Sequence, residues 1–150
     1  MKKVLLIMVA VLGLGFAASA QNNLGLRLGS GAEISWQTAL GTNNRLELDL
    51  GANGLFTWNA YRYFGVTGIY QWHWYLLDKF GWYVGPGAQV SLSQSEGSNY
   101  FNVALGGQIG LDYELPIPLQ LSLDWRPMWN FLGSAHNFDW GVCLGVRYMF

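Results

Sequence analysis

Charged side chains are scarce in this chain of 150 residues, at 11% against about 25% in an average soluble domain. Nine of them recur at alternate positions beside apolar residues and form a candidate set: Arg27, Glu33, Glu47, Asp49, Asp112, Asp124, Arg126, Asp139 and Arg147. Carboxylates that lie close together could act as an acid–base pair or line a narrow ion path. Arginines and carboxylates could instead pair and join neighbouring segments. Asp124 and Arg126 are the first candidates for such pairs, with Glu47, Asp49 and Arg147 as partners.

Two histidines could supply a catalytic base. His73 lies in the aromatic run 72–75, which favours an interfacial or inward-facing ring, and His136 lies in GSAHN with Ser134 nearby. A triad requires its base within hydrogen-bond reach of the nucleophile, and this spacing specifies none. No Cys/His pair has the spacing of metal ligands, and the glycines of GPG and GGQIG open no phosphate-binding helix. We therefore expect no catalytic residue, no cofactor and no metal site.

The elements that carry these residues are predicted by the same alternation. Leu24, Leu26 and Leu28 alternate with glycine and arginine, and the pattern recurs along the chain with breaks at GTNN, SEGSN, PIP and GSAHN. We predict eight strands, near residues 24–28, 32–40, 45–51, 64–75, 82–93, 101–114, 119–131 and 138–150. Residues 23–40 form either one bent strand or a hairpin that turns at 29–31, and only the hairpin gives an even count.

The composition then requires a closed sheet. The chain is 51% hydrophobic and 16% aromatic, yet beyond its first 20 residues it has no apolar run near the length of a spanning helix. Strands of about ten residues with one apolar face are typical of membrane barrels, and lipid cannot satisfy open sheet edges. We predict an all-β protein, an eight-stranded antiparallel up-and-down transmembrane β-barrel. Its tryptophans would form an aromatic girdle, and its interior would be filled by paired charged side chains.

The N-terminal segment predicts export. Lys2 and Lys3 precede an apolar stretch that ends in Ala18-Ser19-Ala20, as in a cleaved secretory signal peptide. We assign residues 1–20 to the signal peptide and 21–150 to the barrel. Without the two lysines, six basic residues face nine acidic ones, a balance that does not favour a nucleic-acid partner. The single cysteine, Cys143, cannot form an internal disulfide.

The C-terminal residues GVRYMF carry a resemblance to a known family. Gly145, Tyr148 and Phe150 resemble the C-terminal assembly signal of Gram-negative outer-membrane barrels, and Cys143 meets its upstream polar preference only weakly. The chain as a whole resembles small OmpA/OmpX-type barrels, including short barrels common in Bacteroidetes, through stretches such as GAEISWQ, RLELDLG and WYVGPGA. The resemblance implies the outer membrane of a Gram-negative bacterium, assembly by the barrel-assembly machinery, contact with membrane lipid and lipopolysaccharide, and a monomer.

The functional expectation is a structural or accessory outer-membrane protein, not an enzyme, whose lumen is plugged by side chains. One alternative is a narrow porin-like channel for ions or small solutes. Another is a lipid A-modifying enzyme; such barrels use a rim histidine with a serine and a carboxylate, but the deacylase serine two residues after the histidine is here Phe138. A secreted, lipocalin-like barrel with an apolar interior is the alternative fold. Short loops near 29–31, 53–63, 94–99 and 133–137 argue against adhesion.

Overall fold

The computed structural model describes residues 21–29, 31–53, 62–95, 97–132 and 138–150. The expected signal peptide, the loop residues Trp58 to Tyr61, and the possible catalytic residues Ser134 and His136 lie outside the described residues. In the part of the chain that is described, no helix is long and apolar enough to cross a membrane.

Ten β-segments make up the described structure, in which every element is a strand. Alternation of apolar and polar residues over most of their length gives each strand two different faces. Their bounds are β1 (Asn22–Leu28), β2 (Ala32–Ala39), β3 (Asn44–Asn53), β4 (Arg62–Leu77), β5 (Phe80–Ser95), β6 (Ser98–Glu114), β7 (Leu119–Trp125), β8 (Met128–Leu132), β9 (Phe138–Asp139) and β10 (Val142–Met149).

The ten segments form eight barrel strands, because two of the strands are interrupted and each of those two consists of two segments. Segments β7 and β8 both pair with β6 and are separated by Arg126 and Pro127, and proline has no N–H for the ladder. Segments β9 and β10 are separated at Gly141, whose φ of +44° favours glycine. The backbone N–H of Arg126 donates to the Gly141 carbonyl at 2.9 Å, which keeps the two interruptions side by side.

All neighbouring strands pair antiparallel in chain order, and the sheet closes through β1 and β10. The closing ladder runs from Asn23 opposite Met149 to Leu28 opposite Leu144. The predicted eight-stranded antiparallel up-and-down barrel is confirmed. Residues 23–40 form the hairpin, with Arg27 opposite Glu33 and Leu28 opposite Ala32.

The three middle strands are longer than the sequence predicted. Segments β4 and β5 have 16 residues each and β6 has 17, against about ten residues for one membrane crossing. The prediction of a loop at 94–99 is wrong, since the β5–β6 ladder continues to Ser95 opposite Ser98. Gly97, with a φ of +81°, lets the chain reverse tightly there.

The two faces of the barrel have opposite chemistry. Several leucines on the outer face are more than half exposed, namely Leu26, Leu28, Leu105, Leu123 and Leu144. The inward face is polar and buried, and its apolar cluster among the described residues consists of Ile69, Ala104 and Met128. The alternative fold with an apolar interior is therefore wrong.

Candidate functional site

The polar interior contains a cluster of seven charged side chains, which we call the central cluster. Its members come from the hairpin β1–β2, from β3, from the β7 region and from β10: Arg27, Glu33, Glu47, Asp49, Asp124, Arg126 and Arg147. Six of them occupy inward positions of strands, because side chains in a strand alternate between the two faces, and Arg126 points inward from the break between β7 and β8. Three guanidinium groups thus meet four carboxylates, for a formal charge of minus one.

Arg27 makes contacts in several directions across the interior. Its Nη1 lies 2.5 Å from Glu33 Oε2 and 2.9 Å from Asp49 Oδ2, and its Nη2 pairs with Asp124. Its Nε is 3.9 Å from Glu47 Oε1. The side chain is fully buried, so these carboxylates replace the water that the guanidinium loses. One arginine therefore joins β1 to β2, β3 and β7.

Arg126 forms a second bridge over the same carboxylates. Its Nη1 lies 2.5 Å from Asp49 Oδ2, and its Nη2 lies 2.6 Å from both oxygens of Glu33. Because Arg126 sits between β7 and β8, these bonds cross to β2 and β3. Asp49 Oδ2 is thereby shared by two arginines.

Arg147 and Glu47 form the third part of the cluster. Arg147 Nη2 lies 3.0 Å from Glu47 Oε2, while its other nitrogens donate to Ser35 Oγ at 2.9 Å and Ser122 Oγ at 2.7 Å. The two carboxylate oxygens of Glu47 also accept from three glutamine amides: Gln37, Gln71 and Gln108. Glu47 is fully buried, and its several donors compensate for its lost hydration.

Space for large inward side chains comes from glycines on neighbouring strands. The Tyr83 ring lies over Gly110, where an added Cβ would be 2.5 Å from Tyr83 Cζ and 2.6 Å from Asp124 Cβ. The Tyr83 hydroxyl donates to Asp124 Oδ2 at 3.0 Å. The missing side chain at Gly110 lets the Tyr83 ring fill this part of the narrow interior without a steric clash.

A second cluster lies nearer one end of the barrel. This end holds both Asn22 and Met149, and we call it the terminal end. Arg45 Nη1 lies 2.8 Å from Asp112 Oδ2, and His73 Nε2 lies 3.0 Å from Asp112 Oδ1. His73 on β4 reaches Asp112 on β6 across Gly81 of β5, where an added Cβ would be 2.5 Å from the histidine. The guanidinium of Arg45 is 4.5 Å from the centre of the Tyr83 ring.

The structure thus brings seven of the nine candidate charges into one cluster and places Asp112 in the other. The prediction that Asp139 belongs to the interior charge network is corrected, since Asp139 joins neither cluster. It lies opposite Met128 on the inward side, but at the rim, where it is exposed and its Oδ1 accepts a hydrogen bond from the Gly141 N–H at 3.2 Å. The strand break at Gly141 holds this carboxylate near its own backbone.

Several interior residues were missing from the candidate set. Arg45, Tyr83 and the glutamines at 37, 71, 108 and 120 all occupy inward positions and form hydrogen bonds to the charged groups. The alternation of apolar and polar residues in the sequence also places them on the inward face. Selecting only the charged residues left out the neutral donors that a buried carboxylate also needs.

The arrangement offers little for acid–base or metal chemistry. Every carboxylate of the central cluster is in an ion pair with an arginine. The His73 ring contacts Asp112, and among the described residues no hydrogen bond links that ring to a hydroxyl or thiol nucleophile. Within the same residues, no group of three or more His, Cys, Asp or Glu side chains is placed to hold a metal ion.

The residues of the C-terminal motif lie at the closing seam. Tyr148 and Phe150 are exposed on the outer face, and their rings stack with centroids 6.2 Å apart. Gly145 pairs with Ser122 of β7, and an added Cβ there would lie 3.0 Å from Arg147 Nη1. The small residue therefore leaves room for the Arg147–Ser122 contact.

Comparison with known proteins rests on structure alone. No family model matches the chain, and no curated protein matches it. Neisserial surface protein A (NspA) superposes with a TM-score of 0.65 at 16% identity, over 87% of this chain and 94% of that one. The fold is that of a small OmpA/OmpX-type barrel. A major outer membrane protein from Thermus thermophilus superposes with a TM-score of 0.58 at 14% identity, over 89% of this chain and all of that one.

Proposed function

We propose that this protein is an integral outer-membrane barrel with a side-chain-plugged lumen and a structural or accessory, non-catalytic role. The observation that carries the proposal is the bonding of Arg27, which pairs with carboxylates of three other strands across the interior. An eight-stranded barrel has an interior only wide enough for its own side chains. Arginines that bridge it in this way would block a continuous water path through the centre, which supports the proposed plug.

Membrane insertion is supported by the outer face. Soluble proteins seldom expose a large continuous apolar surface, whereas here exposed leucine, valine and aromatic side chains recur around the barrel. Between β5, β6, β7 and β10 this surface includes an apolar groove of about 570 Å³, which is bordered by Trp82, Leu111, Leu123 and Trp125. Membrane lipid and lipopolysaccharide are the partners that such a surface would contact.

The outer membrane of a Gram-negative bacterium is the location that fits these features. A signal peptide that is cleaved after Ala20 would direct the chain to the periplasm, and the C-terminal Tyr148 and Phe150 would be recognised by the barrel-assembly machinery. The terminal end of the barrel would then face the periplasm. A closed sheet leaves no unpaired edge for a second copy, which favours a monomer.

Conductance in planar bilayers tests the plug. We expect the purified wild-type barrel to insert without measurable single-channel current. Arg27→Ala should open discrete current steps, because it removes the side chain that bridges β1 to three strands. Gln89→Ala is the matched control, since Gln89 bonds to Thr67 and lies outside both clusters. Steady wild-type channels that the Arg27 substitution leaves unchanged would contradict the plug and favour the narrow channel.

A further inference from the structure

The wall of the barrel differs in height around its circumference. Segments β1 and β2 have 7 and 8 residues, whereas β5 and β6 on the opposite side have 16 and 17. We call β1 and β2 the short side and β5 and β6 the tall side. With a rise of about 3.3 Å and a tilt of about 40°, each residue adds about 2.5 Å of height, so β2 spans about 20 Å between its two turns.

The tall side is apolar over most of its extra length. On β6, every second residue from Phe101 to Tyr113 faces outward and is apolar, aromatic or glycine, and these two end residues are 54% and 42% exposed. On β5, the outward residues are apolar from Trp82 to Leu92. The apolar surface of β6 is therefore about 30 Å high, which is the full hydrocarbon core of a typical bilayer.

The turns at the two ends of β2 limit the thickness of hydrocarbon on the short side. At the outer end, the chain reverses between Leu28 and Ala32, and Gly29 is exposed. At the terminal end, it reverses through residues 41–43, which are also exposed. Lipid tails cannot satisfy the N–H and C=O groups of a turn, so both turns must reach headgroups or water. The hydrocarbon beside β2 can therefore be no thicker than about 20 Å.

The stagger of the strands shows which residues of the two sides lie at one height. From Leu28, paired residues lead over four strand steps to Leu92 of β5 in one direction and to Trp82 of β5 in the other. The intermediate residues are Ala32, Ala52 and Phe64 in the first direction, and Leu144, Leu123 and Leu111 in the second. The height of Leu28 therefore corresponds to a point midway between Trp82 and Leu92. Ala32 on the short side and Ala88 on the tall side are thus two outward alanines at about the same height.

A tilt of the whole barrel cannot remove this difference in height. A tilt that raises the outer turn of β2 to the outer headgroups also lifts residues 41–43 into the hydrocarbon by about the same distance. Thinning of the bilayer is a response to a short apolar span that satisfies both turns at once. The outer face continues without a polar break from Leu28 through Phe64 to Leu92, so the lipid that covers the tall side also covers the short side.

We propose that the barrel thins the bilayer on its short side, where the headgroups of the outer leaflet bend down to the β1–β2 turn. The hydrocarbon there is reduced to about 20 Å, while it keeps about 30 Å beside β5 and β6. The partner of the short side is phospholipid, whose chains contact Leu26 and Leu28. This inference rests on the proposed membrane insertion and adds the shape that the inserted barrel imposes on the lipid.

Spin labels at the two matched alanines test this shape. The full barrel, with Cys143→Ser to remove its own thiol, carries Ala32→Cys or Ala88→Cys and is reconstituted in nanodiscs of palmitoyl-oleoyl phosphatidylcholine. A water-soluble nickel chelate reaches labels near headgroups, whereas oxygen concentrates in hydrocarbon. We expect the ratio of nickel to oxygen collisions to be severalfold higher at position 32 than at position 88. Leu28→Cys, on the neighbouring strand of the short side, should give the same result as Ala32→Cys.

Each other outcome overturns a different statement. Labels at 32 and 88 that both lie in hydrocarbon would overturn the thinning and leave the membrane barrel intact, whereas labels that are both in water would overturn membrane insertion itself. A label at 32 that neither reagent reaches would overturn the thinning in favour of a second copy of the chain on the short side. Gly41→Cys, where an added Cβ has nothing within 4 Å, should collide with the nickel chelate. Its burial in hydrocarbon would show that the barrel tilts and that the bilayer stays flat.

Discussion

Arg126 Nη1 lies 2.5 Å from Asp49 Oδ2, and this bond joins the interrupted seventh barrel strand to β3 across the interior. The two residues are 77 positions apart in the chain. Asp49 Oδ2 also accepts from Arg27 at 2.9 Å, so one carboxylate oxygen ties together β1, β3 and the break between β7 and β8. Contacts of this kind fix the registration of strands that are not neighbours in the sheet.

Coupling between Arg126 and Asp49 should be measurable as a non-additive loss of stability. In a double-mutant cycle with Arg126→Gln and Asp49→Asn, we expect a coupling free energy within about 0.5–3 kcal/mol, because the two side chains are in direct contact. Urea unfolding of the barrel in lipid vesicles measures it. Arg126→Gln combined with Asp112→Asn is the control, since these residues lie in different clusters and should be additive.

Removal of an arginine should cost more than removal of a carboxylate. The central cluster has three guanidinium groups and four carboxylates, so Arg27→Gln widens the charge imbalance while Asp49→Asn removes it. We expect Arg27→Gln to lower the free energy of unfolding by about 3–5 kcal/mol. The expected loss for Asp49→Asn is about 1–3 kcal/mol, the cost of disturbed hydrogen bonds. Urea unfolding measures both losses. A larger loss for Asp49→Asn than for Arg27→Gln would contradict a net negative charge on the central cluster.

The contact between the Tyr83 ring and Gly110 predicts that Gly110 cannot be replaced by a larger residue without loss of stability. An added Cβ at Gly110 would meet Tyr83 and Asp124, whereas one at Gly41, in the β2–β3 turn, would have nothing within 4 Å. Gly110→Ala should therefore destabilise the barrel by about 1–3 kcal/mol through overpacking. Gly41→Ala is the matched control and should be neutral or slightly stabilising. Equal unfolding midpoints for the two variants would mean that Tyr83 has another position to occupy.

The C-terminal aromatic residue should affect delivery rather than stability. We expect Phe150→Ser to reduce the amount of folded barrel in the outer membrane of expressing cells severalfold, and to leave refolding of the purified chain in detergent unchanged. Phe131→Ser is the control, because Phe131 is a similarly exposed phenylalanine on the outer face, away from the C-terminus. The same loss in both variants would point to general damage to the apolar surface and not to an assembly signal.

The alternation of residue types predicted most of the fold, because a strand with an apolar outer face and a polar inner face must alternate along most of its length. Arg27 and Glu33 could also be expected to meet, since they face each other across a short hairpin. The pairing of Arg27 with Asp124 could not, because it depends on how far each strand is staggered around the barrel. Closure of the sheet sets that stagger, and no local pattern records it.

Two other features escaped the sequence for local reasons. His73 reaches Asp112 across an intervening strand because Gly81 has no side chain, and nothing in the pattern links these three positions. Asp139 occupies an inward position in the alternation but lies next to the strand break at Gly141. Its carboxylate therefore bonds to the nearby backbone and does not reach a cluster. Both features depend on how the strands are placed rather than on residue type.

The most direct test of the central claim is the behaviour of the full chain after fractionation of expressing cells. The account predicts that the protein is recovered with the outer membrane, and that its band on a gel shifts when the sample is boiled, because a closed, ion-paired barrel resists detergent at room temperature. Recovery in the soluble periplasm without a shift on boiling would contradict a membrane barrel with an apolar exterior.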